Sequence, residues 1–128
     1  MSAGTEPRAR ARKRALEILH AADVSGAAPD LEDRLDRFTR SLVDGVQAHR
    51  ETLDRALEDA AEHWTVERMP VVDRNILRIA AFELFHTDTP TGAIVDQAVR
   101  LANLLSTEGS GRFVNGILGR LAREHPRA

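Results

Sequence analysis

Apolar residues recur every three or four positions along most of the chain, which is the spacing of amphipathic α-helices. The first such stripe begins at Arg8 and ends at Ser25-Gly26, so the first helix is predicted between them. Residues 1–7 offer too little to bury and are predicted to form a disordered tail.

A second apolar stripe runs from the region of Asp30, which is the predicted N-cap of a helix, to Trp64. This stripe is longer than one ordinary helix, so we expect a break between Gly45 and Arg50. Met69-Pro70 then opens a new segment.

The segment 71–85 is apolar on nearly all sides, which is typical of a buried central helix. The turn residues 87–90 separate it from a helix over about 91–105, and a polar link precedes a last helix over about 110–124. No segment shows the period-two alternation of a strand. The sequence therefore predicts an all-α fold of about seven helices, in a single domain over residues 8–128.

Composition supports this prediction and restricts the chemistry. The 128 residues suffice for one domain, and 42% of them are hydrophobic, with four Phe, one Trp and no Tyr. The absence of cysteine excludes disulfides, thiolate metal sites and cysteine nucleophiles. No apolar run reaches the roughly 20 residues that span a bilayer, and no secretory signal is expected, so we predict a cytoplasmic protein.

The net charge of −2 is unevenly distributed. Residues 1–14 carry a net charge of +4 and residues 109–128 carry +3, whereas the segment between them is acidic. A nucleic-acid-binding protein needs a local basic patch rather than a basic average. The two ends would make such a patch if they met in space.

The first candidate site is the basic run at the start of the first helix, which consists of Arg8, Arg10, Arg12, Lys13 and Arg14. Five like charges repel one another, and the positive end of the helix dipole adds to that cost. RNA phosphates would offset it through salt-dependent contacts. The alternative is a solvated basic tail.

The second candidate site is the last predicted helix. One face of it carries arginines and glycines with a polar residue at the edge: Arg112, Gly116, Gly119, Arg120, Arg123 and Asn115. Each glycine inside a helix costs about 1 kcal/mol relative to alanine, so either another helix or a nucleic-acid chain is expected to approach this face. Phe113 is either a core residue or a ring on which an unstacked base lies.

Catalytic chemistry is not indicated. The five histidines are far apart in the sequence, and no phosphate-binding loop or nucleophile motif occurs. Arg78 and Glu83 lie on the apolar central helix and are predicted to tie neighbouring helices together. We therefore expect no enzyme activity, no metal and no cofactor.

Four segments together resemble the NusB family of bacterial transcription antitermination factors. They are Ala-Arg-Lys-Arg-Ala-Leu-Glu-Ile-Leu (11–19), Leu-Val-Asp-Gly-Val (42–46), Asp-Arg-Asn-Ile-Leu-Arg-Ile-Ala-Ala-Phe-Glu-Leu (73–84) and Phe-Val-Asn-Gly-Ile-Leu (113–118). The resemblance covers nearly the whole chain from Arg8, and the order and spacing of the segments make it specific.

The resemblance implies two small helical bundles packed across each other, over about residues 8–65 and 66–125. It implies binding to the boxA sequence of nascent ribosomal RNA together with NusE, a small-subunit ribosomal protein. Other Nus factors and RNA polymerase would join this complex, which suppresses premature termination. A homodimer is also compatible, because members of the family are monomers or dimers.

The resemblance also implies the RNA-binding residues, since family members hold RNA with the basic N-terminal segment and the start of the last helix. The matching residues are Arg8, Arg10, Arg12, Lys13, Ser110, Arg112, Phe113, Asn115 and Arg120. Two positions depart from the family, because His20 stands where an aromatic residue is frequent and Gly109 where Asp is frequent. The acidic middle, with Glu58, Asp59 and Glu62, would face the basic partner NusE.

Two alternative functions stay open at this point. NusB-like domains are fused to RNA cytosine methyltransferases, but this sequence has no cofactor-binding motif, no cysteine nucleophile and no length for a second domain. A structural helical dimer with incidental basic ends is the other alternative.

Overall fold

A computed structural model describes residues 5–126. This part of the chain folds into six α-helices and one 3-10 turn at Val66–Arg68, without a strand. The helices are α1 (Thr5–Ser25), α2 (Arg37–Ala48), α3 (Arg50–Ala60), α4 (Val71–His86), α5 (Thr91–Leu105) and α6 (Ser110–Glu124). The predicted all-α fold is confirmed, with six helices where about seven were expected.

The predicted start of the second helix was wrong. Asp30 caps no helix, and α2 instead begins after Asp36, whose carboxylate accepts hydrogen bonds from the Thr39 backbone N–H at 2.7 Å and the Thr39 hydroxyl at 2.8 Å. These two bonds hold the pKa of Asp36 below its usual range. Leu31 and Leu35, which the prediction placed on the helix, pack against the core from the irregular segment before it.

The other helix boundaries follow from local sequence. The long stripe breaks at His49, between α2 and α3, as predicted. Pro70 and Pro90 immediately precede α4 and α5, where a missing N–H breaks no helical hydrogen bond. α1 begins at Thr5 and so includes the end of the predicted tail of residues 1–7, because proline is tolerated in a first helical turn; the rest of that tail lies outside the described residues.

α4 is the central helix and packs against each of the other five helices. The aliphatic core is continuous from α1 to α6. Its largest completely buried aliphatic side chains are Leu42, Leu53, Leu57, Ile76, Leu77, Ile94, Leu118 and Leu121. The buried central helix predicted over 71–85 is confirmed, whereas the division into two bundles at about residue 65 stays a prediction.

A buried polar network joins α1, α3 and α4. The Asp23 carboxylate accepts hydrogen bonds from Arg74 at 2.7 and 2.8 Å and from Asn75 at 2.8 Å. Arg78 is 3% exposed and donates to Asp54 at 2.8 and 3.0 Å. Two carboxylates therefore balance two guanidinium groups, as buried charges require. The prediction that Arg78 ties helices together is confirmed.

The network predicts a specific acid response. The hydrogen bond from Arg74 holds the pKa of Asp23 well below its usual range. A group whose folded pKa is lowered adds stability above its unfolded pKa and loses it as the pH falls through the folded value. We expect Asp23→Asn to destabilise the protein at neutral pH and its difference from the wild type to shrink below about pH 4.

Urea unfolding between about pH 7 and about pH 3 measures this difference. Asp96→Asn is the matched control, because Asp96 forms an exposed pair with Arg100 on α5. A gap between wild type and Asp23→Asn that widens in acid would contradict the prediction.

Candidate nucleic-acid interface

The basic run of α1 contains a residue that the fold itself uses. Arg12 is 4% exposed, and its guanidinium donates two hydrogen bonds of 2.8 Å to the Glu83 carboxylate on α4. The Phe38 ring lies 5.3 Å from the same guanidinium. This placement corrects the expectation that Arg12 binds RNA, because its charge is already satisfied inside the protein. The predicted role of Glu83 as a tie between helices is confirmed.

Arg14 also has internal partners. Its guanidinium lies 2.8 Å from Glu32 and 3.5 Å from Glu17. Carboxylates of the protein therefore offset part of the repulsion for which phosphate was expected.

The exposed part of the basic run consists of Arg8, Arg10 and Lys13. Arg8 also lies over the Phe38 ring, 4.8 Å from its centroid. The structure thus leaves three of the four basic residues assigned to RNA on α1 at the surface.

Ser110, at the start of α6, lies inside the protein. It is 4% exposed, and its hydroxyl donates to the buried Asp73 carboxylate at 2.9 Å. Ser106 donates to the same carboxylate. These bonds fasten the α5–α6 link to the first turn of α4, so the expectation that Ser110 contacts RNA is corrected to a role in positioning α6.

The predicted arginine and glycine face of α6 is open. Arg112, Asn115, Gly116 and Arg123 are exposed. A Cβ atom on Gly116 would meet nothing within 4 Å, and one on Gly119 would meet only the Arg123 guanidinium at 3.4 Å. No helix of residues 5–126 therefore packs on these glycines, and the approach of a nucleic-acid chain stays a prediction.

A groove with a volume of about 630 Å³ separates this face from α5. Its lining includes the half-buried Val95 and Val99 and the exposed side chains of Asn103, Arg112 and Asn115. Across the described part of the chain, these three polar side chains make no hydrogen bond or ion pair. The groove thus combines an apolar surface with polar groups that are available to a ligand.

Two glycines give the groove its shape. A Cβ atom on Gly111 would collide with the Asn103 amide, so glycine lets that amide lie across the start of α6. Gly109 precedes α6 with a φ of 91°, a left-handed conformation that favours glycine. The glycine at this position therefore suits the backbone that precedes α6.

The opposite edge of α6 carries an aromatic pair. Phe113 is half-buried against the core, and the Trp64 ring meets it edge-on, with centroids 6.1 Å apart and an interplanar angle of 64°. Arg120 is half-buried and pairs with Glu62 at 3.1 Å. Phe113 thus packs against the core with part of its side chain, and the alternative that its ring receives an unstacked base stays a prediction.

The two basic ends attach to opposite ends of α4. The α1 run is tied to Glu83, and the start of α6 is tied to Asp73. At 1.5 Å per residue, these attachment points are about 15 Å apart along the helix. The ends do not merge into one cluster at α4, but a short RNA strand is long enough to reach both.

Two residues of this surface were not assigned from the sequence. Asn103 is an exposed residue of α5, and the apolar pattern of that helix predicts only which of its residues are buried. Trp64 was placed in the apolar stripe of a helix, but α3 ends at Ala60 and Trp64 is exposed. The turn before Trp64 could not be predicted from the sequence, because Glu62 and His63, which have positive φ angles there, are not glycines.

Neither metal binding nor membrane insertion is indicated for the described residues. No group of three His, Asp or Glu side chains among them is placed to hold a metal ion. His49 and His86, which are distant in sequence, stack at 4.0 Å, and burial lowers the pKa of His86. No helix within residues 5–126 is long and apolar enough to cross a membrane.

Comparison with known proteins gives a consistent family assignment. A family model described as the NusB family matches residues 2–123. A transcription antitermination protein NusB from Anaeromyxobacter dehalogenans is 41% identical, and the match covers 97% of this chain and 96% of that relative. A T. maritima NusB structure superposes with a TM-score of 0.84 at 33% identity over 94% of each chain.

A structure of the antitermination factors NusB and NusE in complex with dsRNA is also similar. The matching chain has a TM-score of 0.80 and 26% identity, and the superposition covers 92% of this chain and 97% of the matching chain.

Measurements of stability can test whether Arg12 differs from the exposed residues of the basic run. Arg12→Ala removes the guanidinium that balances the buried Glu83 charge, and we expect a loss of about 3–5 kcal/mol in the free energy of unfolding. Lys13→Ala, at the exposed neighbouring position, should change it by less than about 0.5 kcal/mol. Chemical denaturation measures both variants, and similar losses in the two would contradict a structural role specific to Arg12.

Measurements of stability can also test whether the glycine face of α6 is free of packing contacts. Gly116→Ala should raise the free energy of unfolding by about 0.5–1 kcal/mol, because the added methyl group meets nothing and alanine favours the helix. Gly45→Ala on α2 is the matched comparison and should be destabilising, because its Cβ would collide with the Phe82 ring. Thermal unfolding of both variants checks the opposite signs.

Proposed function

The chain belongs to the NusB family of transcription antitermination proteins, and on that basis we propose that it binds boxA RNA together with NusE. The observation that carries the proposal is the open groove beside α6, where Arg112, Asn103 and Asn115 have no partner within the described residues. A fold that leaves several polar side chains unpaired around a groove is suited to a polar ligand. The solved complex of NusB and NusE with dsRNA supports RNA as the class of ligand.

The exposed basic residues supply the contacts to phosphate. Arg8, Arg10 and Lys13 extend along the surface of α1, and Arg112 stands at the start of α6. Ion pairs with phosphate provide affinity that depends on salt but not on sequence. Preference for boxA would come from the amides of Asn103 and Asn115, since an amide can donate to and accept from one base edge.

The acidic residues at the end of α3 and in the turn after it narrow the choice of residues that would contact NusE. Glu58 accepts the Val66 backbone N–H at 2.9 Å, and Glu62 pairs with Arg120 at 3.1 Å. Glu58 therefore serves the fold, whereas the side chain of Glu62 is 75% exposed and already neutralised by Arg120. Asp59 is exposed and is the better position for a charge-reversal test of NusE binding.

The wider role follows from the same proposal. With NusE bound, the protein would act as a binding factor rather than an enzyme, and it would join other Nus factors on RNA polymerase in the cytoplasm. A homodimer would compete with this role if it covered α6, so RNA binding and self-association should be measured together.

The RNA proposal predicts a change in salt dependence. In the complex with NusE, Lys13→Ala and Arg112→Ala should each weaken boxA binding. Each should also lower the slope of log affinity against log salt by about 0.7 for every phosphate that is no longer neutralised. Fluorescence anisotropy of labelled boxA RNA measures both quantities, with a scrambled RNA for comparison.

Arg55→Ala is the matched control, because Arg55 is an exposed arginine of α3 that does not line the groove. An unchanged affinity and slope in the Lys13 and Arg112 variants would refute the proposed RNA surface.

A further inference from the structure

Trp64 is the largest apolar side chain that the described fold leaves exposed. Its exposed fraction is 52%, whereas Leu53 and Leu57 of the preceding helix are completely buried. It is also the only tryptophan in the sequence. Single exposed apolar residues are common on protein surfaces. Exposure alone therefore does not indicate a function for Trp64. The backbone that holds it and the residues around it provide the further evidence.

The backbone before Trp64 is held in an unusual conformation. Glu62 and His63 have φ angles of 56° and 70°, a left-handed region that costs non-glycine residues about 1–2 kcal/mol each. The His63 N–H donates to the Glu58 carbonyl at 2.7 Å, and the exposed Glu62 side chain pairs with Arg120 of α6 at 3.1 Å. These contacts turn the chain out of α3 and hold Trp64 beside α6 instead of in the core.

The neighbour of Trp64 on α6 is Phe113, a half-buried ring that follows the exposed Arg112. The two rings meet edge-on at 6.1 Å, a geometry in which only one ring offers its face to the other. The half-exposed indole thus retains surface for a third ring. Aromatic side chains at a surface bind unpaired bases by stacking, which is favourable for every base.

The surroundings favour a nucleotide over an apolar peptide. Arg112 precedes Phe113 and is exposed, and Gly116, one helical turn further on, offers no side chain in front of the helix backbone. A cationic group next to a ring, with room for close approach, fits a base attached to a phosphate. The acidic charge at Glu62 is balanced by Arg120.

We propose that Trp64 and Phe113 form a platform on which an unpaired base of a bound single-stranded RNA stacks. This inference rests on the proposed RNA-binding function and extends that surface across α6, from the groove on the α5 side to the turn after α3. The phosphate next to the stacked base lies toward Arg112.

The experiment uses the full chain and short single-stranded boxA RNA, with and without NusE. Because Trp64 is the only tryptophan, its fluorescence reports on stacking directly. We expect RNA to quench this fluorescence, and an abasic substitution at one position of the RNA to remove most of the quenching. Anisotropy of labelled RNA measures binding independently of the tryptophan.

Two substitutions separate stacking from apolar packing. Trp64→Phe keeps an aromatic ring and should retain affinity within about threefold, whereas Trp64→Leu keeps apolar volume without a ring and should bind about tenfold more weakly. Leu104→Ala, at an exposed apolar residue of α5, is the control and should leave binding unchanged. Thermal unfolding confirms that all variants fold.

Each outcome is decisive. RNA that binds by anisotropy without quenching Trp64, or that binds the Leu and Phe variants equally, would overturn the platform and leave the RNA-binding function standing. Loss of NusE binding in Trp64→Leu with unchanged RNA affinity would overturn it in favour of a protein contact. Failure of any boxA RNA to bind the wild type would overturn the function and the platform together.

Discussion

The arrangement of the helices depends on three buried charges of α4. A charge removed from water must be paired or hydrogen-bonded, so each of these side chains fixes the position of a different neighbour. Glu83 holds the basic end of α1, Arg78 holds α3, and Asp73 holds the start of α6. Aliphatic packing supplies most of the burial around α4, but these polar contacts determine where each surrounding helix is placed along it.

The same contacts decide which polar residues are available to a ligand. Arg12 and Ser110 are used by the fold, whereas Lys13 and Arg112, which adjoin them or lie within one turn, stay exposed. The exposed residues are therefore carried on helix segments whose inner faces are fixed to α4. A binding surface built on fixed helices loses little conformational entropy when its ligand binds.

The helices could be predicted from the sequence because their apolar periodicity is strong, and the bounds of α5 and α6 agree with the prediction. The start of α2 could not, because Asp30 and Asp36 are both suitable caps and only the bonds to Thr39 distinguish them. At the candidate site, the positively charged residues could be identified from the sequence, but the acidic residues that pair with them could not. Arg12 pairs with a residue 71 positions away, and no local pattern reveals such a contact.

The separation between Arg12 and Glu83 also bears on how the protein is made. α1 is synthesised first, yet its buried guanidinium finds its carboxylate only after 71 further residues have been added. At about 5–20 residues per second, this interval lasts roughly 4 to 14 seconds. During that time the Arg12 guanidinium lacks its buried partner and stays exposed to water. Completion of α4 withdraws that charge into the core, so the nascent chain and the finished protein present different cationic surfaces.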